Sequence, residues 1–197
     1  MMLDIISQRN PRLVRVTAEL HQNGSIPTDT YVVDLDAVRE NTRKVKQCGD
    51  HNGIRLYVMT KQMNRNPSMI EVIAEEGIKK AVAVDIQCFD ILVAQGVPIG
   101  HVGHLTQIPR HATERVLTAK PEIWTVFDYQ RAVFISQAAQ KLGVQQDIVL
   151  KVIGPKDKAY IAQEGGIPVS QAMDVAKRIS ELPNVRIVGT SGFPCVL

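Results

Sequence analysis

Lys61 is the residue of this sequence whose type and position most clearly suggest chemistry. It ends an apolar stretch at residues 56–60, which we predict to be a β-strand, and a polar turn at residues 62–66 follows it directly. In α/β proteins the loops after parallel strands converge at one edge, where active sites are found. An apolar strand would partly desolvate the amine and disfavour its ammonium form, as a Schiff-base lysine requires. The alternative is a lysine that only carries its charge into water.

Two histidines, His101 and His104, form a second candidate group. Both fall in a predicted strand at residues 101–105, where a spacing of three residues places side chains on opposite faces. A metal site needs ligands that converge, so this pair is not expected to bind a metal. His104 falls nearer the end of the strand and is the one we expect to line a pocket.

Other polar residues at strand ends have simpler interpretations. Asp85 and Asp128 each follow a predicted strand, and we interpret both as helix N-caps. The sequence around Ser191 and Cys195 lacks the nucleophile-elbow pattern, so a Ser-His-Asp or Cys-His triad is not proposed.

Composition excludes several classes of function. The chain has 197 residues, of which 45% are hydrophobic and 22% charged, and its net charge is +3. This is the composition of a globular domain, and no basic run interleaved with aromatic residues indicates nucleic-acid binding. The length is near the upper end for one ordinary domain but below the ~250 residues of a complete (β/α)8 barrel.

Cysteine usage and hydropathy indicate a cytoplasmic protein. Cys48, Cys88 and Cys195 are far apart and form no C-x-x-C pair, so we predict reduced, buried thiols. The sequence begins without a signal-peptide pattern and contains no apolar run long enough to span a bilayer. We therefore expect neither a membrane nor nucleic acid as a partner.

The elements alternate from residue 30 onward. Residues 1–26 are predicted to form a leading helix, with Pro11 near a helix start and Gly24 near its stop. A helix at 36–48 follows the first strand, with Asp36 as its N-cap and Gly49 as its stop. Predicted strands lie at 30–34, 54–60, 81–84, 101–105, 123–127, 148–153 and 185–189, and further helices at 67–76, 86–95, 109–119, 128–142 and 168–181.

The strands are typical of a parallel sheet. Several are continuous apolar runs, such as Ile148-Val149-Leu150, which suits strands buried on both faces. Six β units in regular order, counted from the strand of Lys61, could form an open doubly wound sheet or six of the eight units of a barrel. Periodicity does not choose between them. The open sheet would usually carry a Gly-rich phosphate turn, and no such motif is present.

The order of several short motifs resembles a known family. Residues 30–38 with Asn41, followed by residues 57–61, are similar to the opening of the alanine racemase-like, fold-type III pyridoxal phosphate enzymes. Further stretches keep the family's order, at 73–77, 81–85, 91–97, 102–105, 123–128, Lys151 with Gly166, and 182–189. The resemblance implies a (β/α)8 TIM-barrel type domain, here incomplete with about six strands. Residues 27–197 would be this partial barrel domain and residues 1–26 the leading helix.

The resemblance also implies a cofactor and a substrate class. Lys61 would be the catalytic Schiff-base lysine and a ligand of pyridoxal 5'-phosphate. His104 would bind the cofactor, since residues 102–105 resemble a segment of the small members that bind it. Lys151 falls where many alanine racemases have a lysine; the alternative, which the sequence favours, is a strand lysine without a chemical role. The expected partners are a small-molecule amino acid and a second copy of the chain.

The sequence also departs from the family. Alanine racemases carry a motif of tyrosine, histidine and glycine after the lysine. Here the corresponding residues 62–66 are Gln-Met-Asn-Arg-Asn, so alanine is not implied as the substrate. The arginine expected after the fifth strand has no counterpart in residues 156–160. The sequence ends at Leu197, just past the sixth predicted barrel strand. We therefore expect the N-terminal part of a longer protein, which needs its C-terminal half: a truncated gene product, a cloned fragment or one piece of a split gene.

Three functions remain open from the sequence. The first is part of an amino-acid racemase or lyase, with Lys61 acting at the α-carbon. The second is a non-catalytic protein of pyridoxal phosphate binding and homeostasis, and the third an inactive truncated remnant. Racemisation needs a second acid opposite Lys61, and the sequence assigns none.

Overall fold

The computed structural model describes residues 2–157, 161 and 165–193. Its α-helices are α1 (Met2–Arg9), α2 (Pro11–Gln22), α3 (Leu35–His51), α4 (Pro67–Glu75), α5 (Ile86–Ala94), α6 (Thr113–Thr118), α7 (Tyr129–Leu142) and α8 (Ala172–Ser180). Its strands are β1 (Val58–Met59), β2 (Ala81–Ala83), β3 (Ile99–Val102), β4 (Ile123–Val126), β5 (Gln146–Ile153), β6 (Ile167–Pro168) and β7 (Val185–Ser191). Single 3-10 turns occupy Lys61–Met63, Arg110–Ala112 and Val169–Gln171.

The strands form one parallel sheet in barrel order. β1 to β5 pair with their neighbours in sequence. β5 is long enough to pair with two later strands: β7 runs beside it from Gln146 to Lys151, and the two-residue β6 pairs with Val152 and Ile153. The predicted incomplete barrel of six parallel strands is therefore confirmed, and β6 is a short strand that the pattern did not show.

The sheet is covered by helices on its outer face. Val102, Trp124 and Ile148, from three adjacent strands, are fully buried. Leu92 of α5 and Ile135 of α7 are also fully buried. Burial of continuous apolar strands under helices is the pattern of a parallel α/β sheet, as the sequence predicted.

The sheet curves round an interior. Phe193 follows β7, yet its ring lies 5.2 Å from the ring of His104, which follows β3. Three strand pairings separate β3 from β7, so this contact requires the sheet to curl, as a barrel wall does.

The N-terminal helix prediction is wrong in one respect, because residues 2–22 form two helices. Asn10 separates them and caps the second, its side chain accepting a hydrogen bond from the Leu13 amide. Pro11 opens α2, where its missing N–H costs nothing. Asn10 also donates to the Asp34 carboxylate at 2.7 Å and so ties the hairpin to the next helix.

The predicted strand at 30–34 is also wrong, since none of those residues is in a strand. Asp34 instead caps α3, accepting from the Asp36 and Ala37 amides, so the predicted cap at Asp36 lies two residues too late. Gly49 does not stop the helix, which continues to His51. Alternating apolar side chains are not sufficient to make a strand where no neighbour offers a hydrogen-bonded edge.

Candidate functional site

Three of the residues singled out from the sequence lie at one edge of the sheet. Lys61, His104 and Asp128 each lie two residues beyond the end of a strand, β1, β3 and β4 respectively. Because all the paired strands are parallel, these ends share one rim. Asp128 caps α7 through the Arg131 amide, and Asp85 caps α5 through the Cys88 amide, both at 2.7 Å, as predicted.

The environment of Lys61 differs from the predicted one. β1 covers only Val58–Met59, and Lys61 is the first residue of a 3-10 turn and is exposed. The expected desolvation by an apolar strand is therefore wrong. Thr60, which is fully buried, turns the chain at this point, and its carbonyl accepts from the Arg65 amide at 3.0 Å.

The turn after Lys61 has an unusual backbone. Asn64 and Arg65 are consecutive non-glycine residues with positive φ, 49° and 54°. Such residues are uncommon and concentrate at binding and catalytic sites. They shape an open groove of about 690 Å³, which Lys61 lines together with Tyr31, Val33, Gln62, Met63, Asn64, Asn66, Pro67 and Met69.

His101 and His104 lie together, contrary to the sequence prediction. Their ring centroids are 5.3 Å apart, because β3 ends at Val102 and the chain turns at Gly103 with φ +73°. A Cβ at position 103 would lie 2.7 Å from the Thr125 carbonyl oxygen, so glycine permits the turn. His101 Nε2 forms a 2.6 Å hydrogen bond with the Thr125 hydroxyl on β4.

Burial favours the neutral form of both imidazoles. Burial, followed by the charge of His104, lowers the pKa of His101 to about 4. Burial also lowers the pKa of His104, and the positive charges of Lys151 and Lys61 add to the effect. Within the described residues, His104 Nδ1 is buried and has no hydrogen-bond partner. A neutral ring with an unused polar atom is suited to contact a ligand.

Lys151 is the residue that sequence reasoning undervalued. It lies on β5, is only 4% exposed, and its amine is 4.4 Å from the centroid of the Phe127 ring. Burial lowers the pKa of Lys151 because the interior disfavours the ammonium form. The sequence did contain an indication of this burial. Lys151 has apolar residues on both sides within its strand, as expected where the lysine side chain is buried with the strand.

The remaining sequence predictions concern cysteines, metals and membranes. Cys88 is buried, as expected, whereas Cys48 is exposed. Cys195 lies outside the described residues. Positions 158–160, part of the segment compared above for the missing arginine, also lie outside them. The described part of the chain contains no cluster of three or more potential metal ligands. It also contains no helix with the length and hydropathy to cross a membrane.

Solved structures resemble this fold at low sequence identity. Diaminopimelate decarboxylase from M. jannaschi superposes with a TM-score of 0.67 at 18% identity, over 88% of this chain and 43% of that chain. D-threonine aldolase from Filomicrobium marinum gives 0.66 at 17% identity, over 84% and 43%. At this identity the likeness shows the fold alone.

Sequence comparison is more specific. The uncharacterized protein YhfX of Escherichia coli (strain K12) is 34% identical over 197 residues, which is all of this chain and 51% of that protein. The chain thus spans about half the length of this curated relative. The family described as alanine racemase, N-terminal domain, matches residues 33–196. The chain belongs to the alanine racemase N-terminal domain family.

Proposed function

We propose that this chain carries the cofactor-binding lysine of a pyridoxal phosphate-dependent enzyme that acts at the α-carbon of an amino acid. The observation that carries the proposal is the place of Lys61: an exposed amine at the rim of a parallel sheet of this family, beside a groove. Active sites of barrel enzymes are built at this rim.

The residues around the rim fit pyridoxal phosphate. The groove has the volume of a small-molecule site. Lys61 lines the groove, its positive charge suits an anionic ligand, and its exposed amine can reach an aldehyde. The buried Nδ1 of His104 is a polar atom in need of a partner, which the cofactor could provide. We propose on this basis that Lys61 and His104 bind the cofactor.

The chain's own groups define what it would do in catalysis. When bound, pyridoxal phosphate supplies an electron sink for the pair left when a bond at the α-carbon breaks. Lys61, as an exposed amine, would hold the cofactor through its aldehyde and would hold or return a proton at the α-carbon. His104 would place a neutral imidazole ring against the cofactor, because its pKa is held below the ordinary value.

Substitution of Lys61 tests this function. We expect Lys61→Met to weaken retention of pyridoxal phosphate after gel filtration by at least about a hundredfold, because covalent attachment through the amine is lost. Lys44→Met is the matched control, since Lys44 is an exposed lysine on α3, paired with Glu40. The proposal is wrong if Lys61→Met and Lys44→Met retain the cofactor equally.

A second candidate function is cofactor binding without turnover. The observation that favours it is the turn at Gly103 and His104, in the segment that resembles the small cofactor-binding members of the family. Incubation of the loaded chain with single enantiomers of amino acids separates the two functions. Loss of the α-proton supports the enzyme, and its retention with every amino acid supports the binding protein.

A further inference from the structure

The turn that leads to His104 is held by the side chain of Gln107. The Nε2 atom of Gln107 donates to the Gly103 carbonyl at 2.8 Å and to the Thr125 carbonyl at 3.2 Å. Both carbonyls lie beyond the last residues that β3 and β4 pair with each other. Backbone carbonyls away from water need partners, and here one amide group serves two of them. Gln107 thus joins the two strands at the point where their own pairing stops.

These two hydrogen bonds determine the direction in which the His104 side chain leaves the turn. The Gly103 carbonyl belongs to the planar peptide group that ends at the Cα of His104, so a bond that fixes this carbonyl also fixes the plane. The bond to Thr125 ties the plane to β4, and the Thr125 hydroxyl bonds to His101 Nε2 at 2.6 Å. One network of hydrogen bonds therefore sets the positions of both histidine rings, which lie 5.3 Å apart.

The glycine of this turn needs such support. Gly103 has φ +73°, a conformation that glycine adopts readily, but glycine adopts many other conformations as readily. The backbone at this position does not by itself select one of them. The bond from Gln107 to the Gly103 carbonyl makes the selection, and the His104 ring is placed as a result.

The other end of the same loop has a separate attachment. Arg131 of α7 donates through Nη1 to the Ile108 carbonyl at 2.6 Å. This bond fixes the loop to the helical layer but does not involve the peptide group between Gly103 and His104. General support of the loop and control of the histidine are therefore assigned to different side chains, and they can be removed one at a time.

We propose that Gln107 is a positioning residue of this site, which holds the peptide group before His104 so that the imidazole ring faces the cofactor. The inference rests on the proposed function, in which His104 binds pyridoxal phosphate. Gln107 acts through the ring and not by contact with the cofactor. The ring it places has a buried Nδ1 without a partner among the described residues, and the charge of Lys61 acts on the same ring.

The geometry of the turn is tested first, in the cofactor-free chain. Nuclear Overhauser cross-peaks between the ring protons of His101 and His104 report whether the rings stay together. We expect Gln107→Met to lose these cross-peaks, because methionine has the length of glutamine but no donor. Arg131→Met, at the other end of the loop, and Gln140→Met, at an exposed glutamine, should keep them. Unchanged cross-peaks in Gln107→Met would overturn the proposal.

A second variant serves if Gln107→Met does not fold. Gln107→Asn keeps the amide group but is one carbon shorter, so from the same backbone position it does not reach both carbonyls within hydrogen-bond distance. The cross-peaks between the two rings should be lost in this variant as well. Their survival at full intensity would refute the role of Gln107.

A double-mutant cycle in cofactor affinity separates positioning from general support of the fold. Each chain is titrated with pyridoxal phosphate, and the dissociation constant is measured for Gln107→Met, for His104→Ala and for the double variant. We expect Gln107→Met to weaken binding about tenfold in the original chain and to have no further effect beside His104→Ala, because the amide acts through the ring. Losses that add in the double variant would mean that Gln107 only supports the fold, and the proposal would be wrong.

Failure of this proposal is distinguishable from failure of the proposed function. If Lys61→Met and Lys44→Met retain the cofactor equally, the function is wrong and the role of Gln107 is refuted with it. If Lys61→Met loses the cofactor and the losses from Gln107→Met and His104→Ala add, the function stands and the positioning role alone is wrong.

Discussion

Lys61, just beyond β1, and Lys151, within β5, are the same residue type in opposite environments. Lys61 follows a strand of two residues, lies on a 3-10 turn and is exposed. Lys151 lies within a strand of eight residues, is 4% exposed and packs over the Phe127 ring. An exposed amine is suited to exchange partners, whereas a buried amine is suited to a lowered pKa. The lengths of the two strands thus separate the two environments.

Charged groups on the outer surface are paired, unlike the basic groups of the interior. On the helical layer, Arg39 and Arg43 of α3 meet Glu76 at 3.2 Å and 3.0 Å, so charges of both signs are paired. In the interior, burial instead favours the neutral form of both histidines, and the positive charges of Lys151 and Lys61 act on His104. Paired surface charges contribute little to stability, while an interior rich in bases is a feature that function explains better than folding does.

The largest expected effect of this interior is on stability in acid. His101 has a pKa of about 4 in the folded chain and the ordinary value of 6.5 when unfolded, so the unfolded state binds more protons between these values. Stability therefore falls as pH falls from about 6.5 to about 4, by roughly 3 kcal/mol from this residue.

Urea unfolding at pH 7 and pH 4.5 measures this loss. We expect His101→Gln to reduce the difference between the two pH values, since glutamine can still bond to the Thr125 hydroxyl but does not titrate. His111→Gln, at an exposed histidine, is the control and should leave the difference unchanged. If His101→Gln also leaves the pH difference in stability unchanged, the pKa of His101 is not lowered by burial.

An effect of similar size is expected at the turn that brings the two histidines together. Gly103→Ala should destabilise the chain by about 2–4 kcal/mol, because alanine is strained at positive φ and its Cβ would meet the Thr125 carbonyl. Gly143→Ala is the control, because Gly143 has φ +65° and a Cβ there would have no atom within 4 Å. This variant has the backbone strain without the steric contact and should cost about 1 kcal/mol. Thermal unfolding of both variants checks this, and equal losses would mean that the turn at Gly103 is not tightly packed.

The smallest effect concerns the buried lysine. Phe127→Leu removes an aromatic face worth about 1 kcal/mol to the ammonium and keeps the site apolar, so the pKa of Lys151 should fall further. Phe134→Leu, which removes the ring beneath Arg110, is a control that should leave Lys151 unchanged. NMR titration of the lysine Cε signals measures the shift. A rise on removal of Phe127 would show that the ring does not stabilise the charge.

The sequence predicted the repeated elements well and the local turns poorly. Apolar runs such as Ile148-Val149-Leu150 and cap residues such as Asp85 are local signals, and the sheet order and the caps agree with them. The pairing of His101 with His104 depended on where β3 stops, which the Thr125 carbonyl and Gly103 decide across strands. The exposure of Lys61 likewise depends on how few residues of β1 find a partner. Such tertiary effects leave no trace in periodicity.

Covalent mapping tests the difference between the two lysines most directly. The chain is incubated with pyridoxal phosphate, reduced with borohydride and digested, and the modified peptides are measured by mass spectrometry. We predict that the label is found on Lys61, with little on Lys151 or on exposed lysines such as Lys44. Label concentrated on Lys151, or spread evenly over the exposed lysines, would contradict the account.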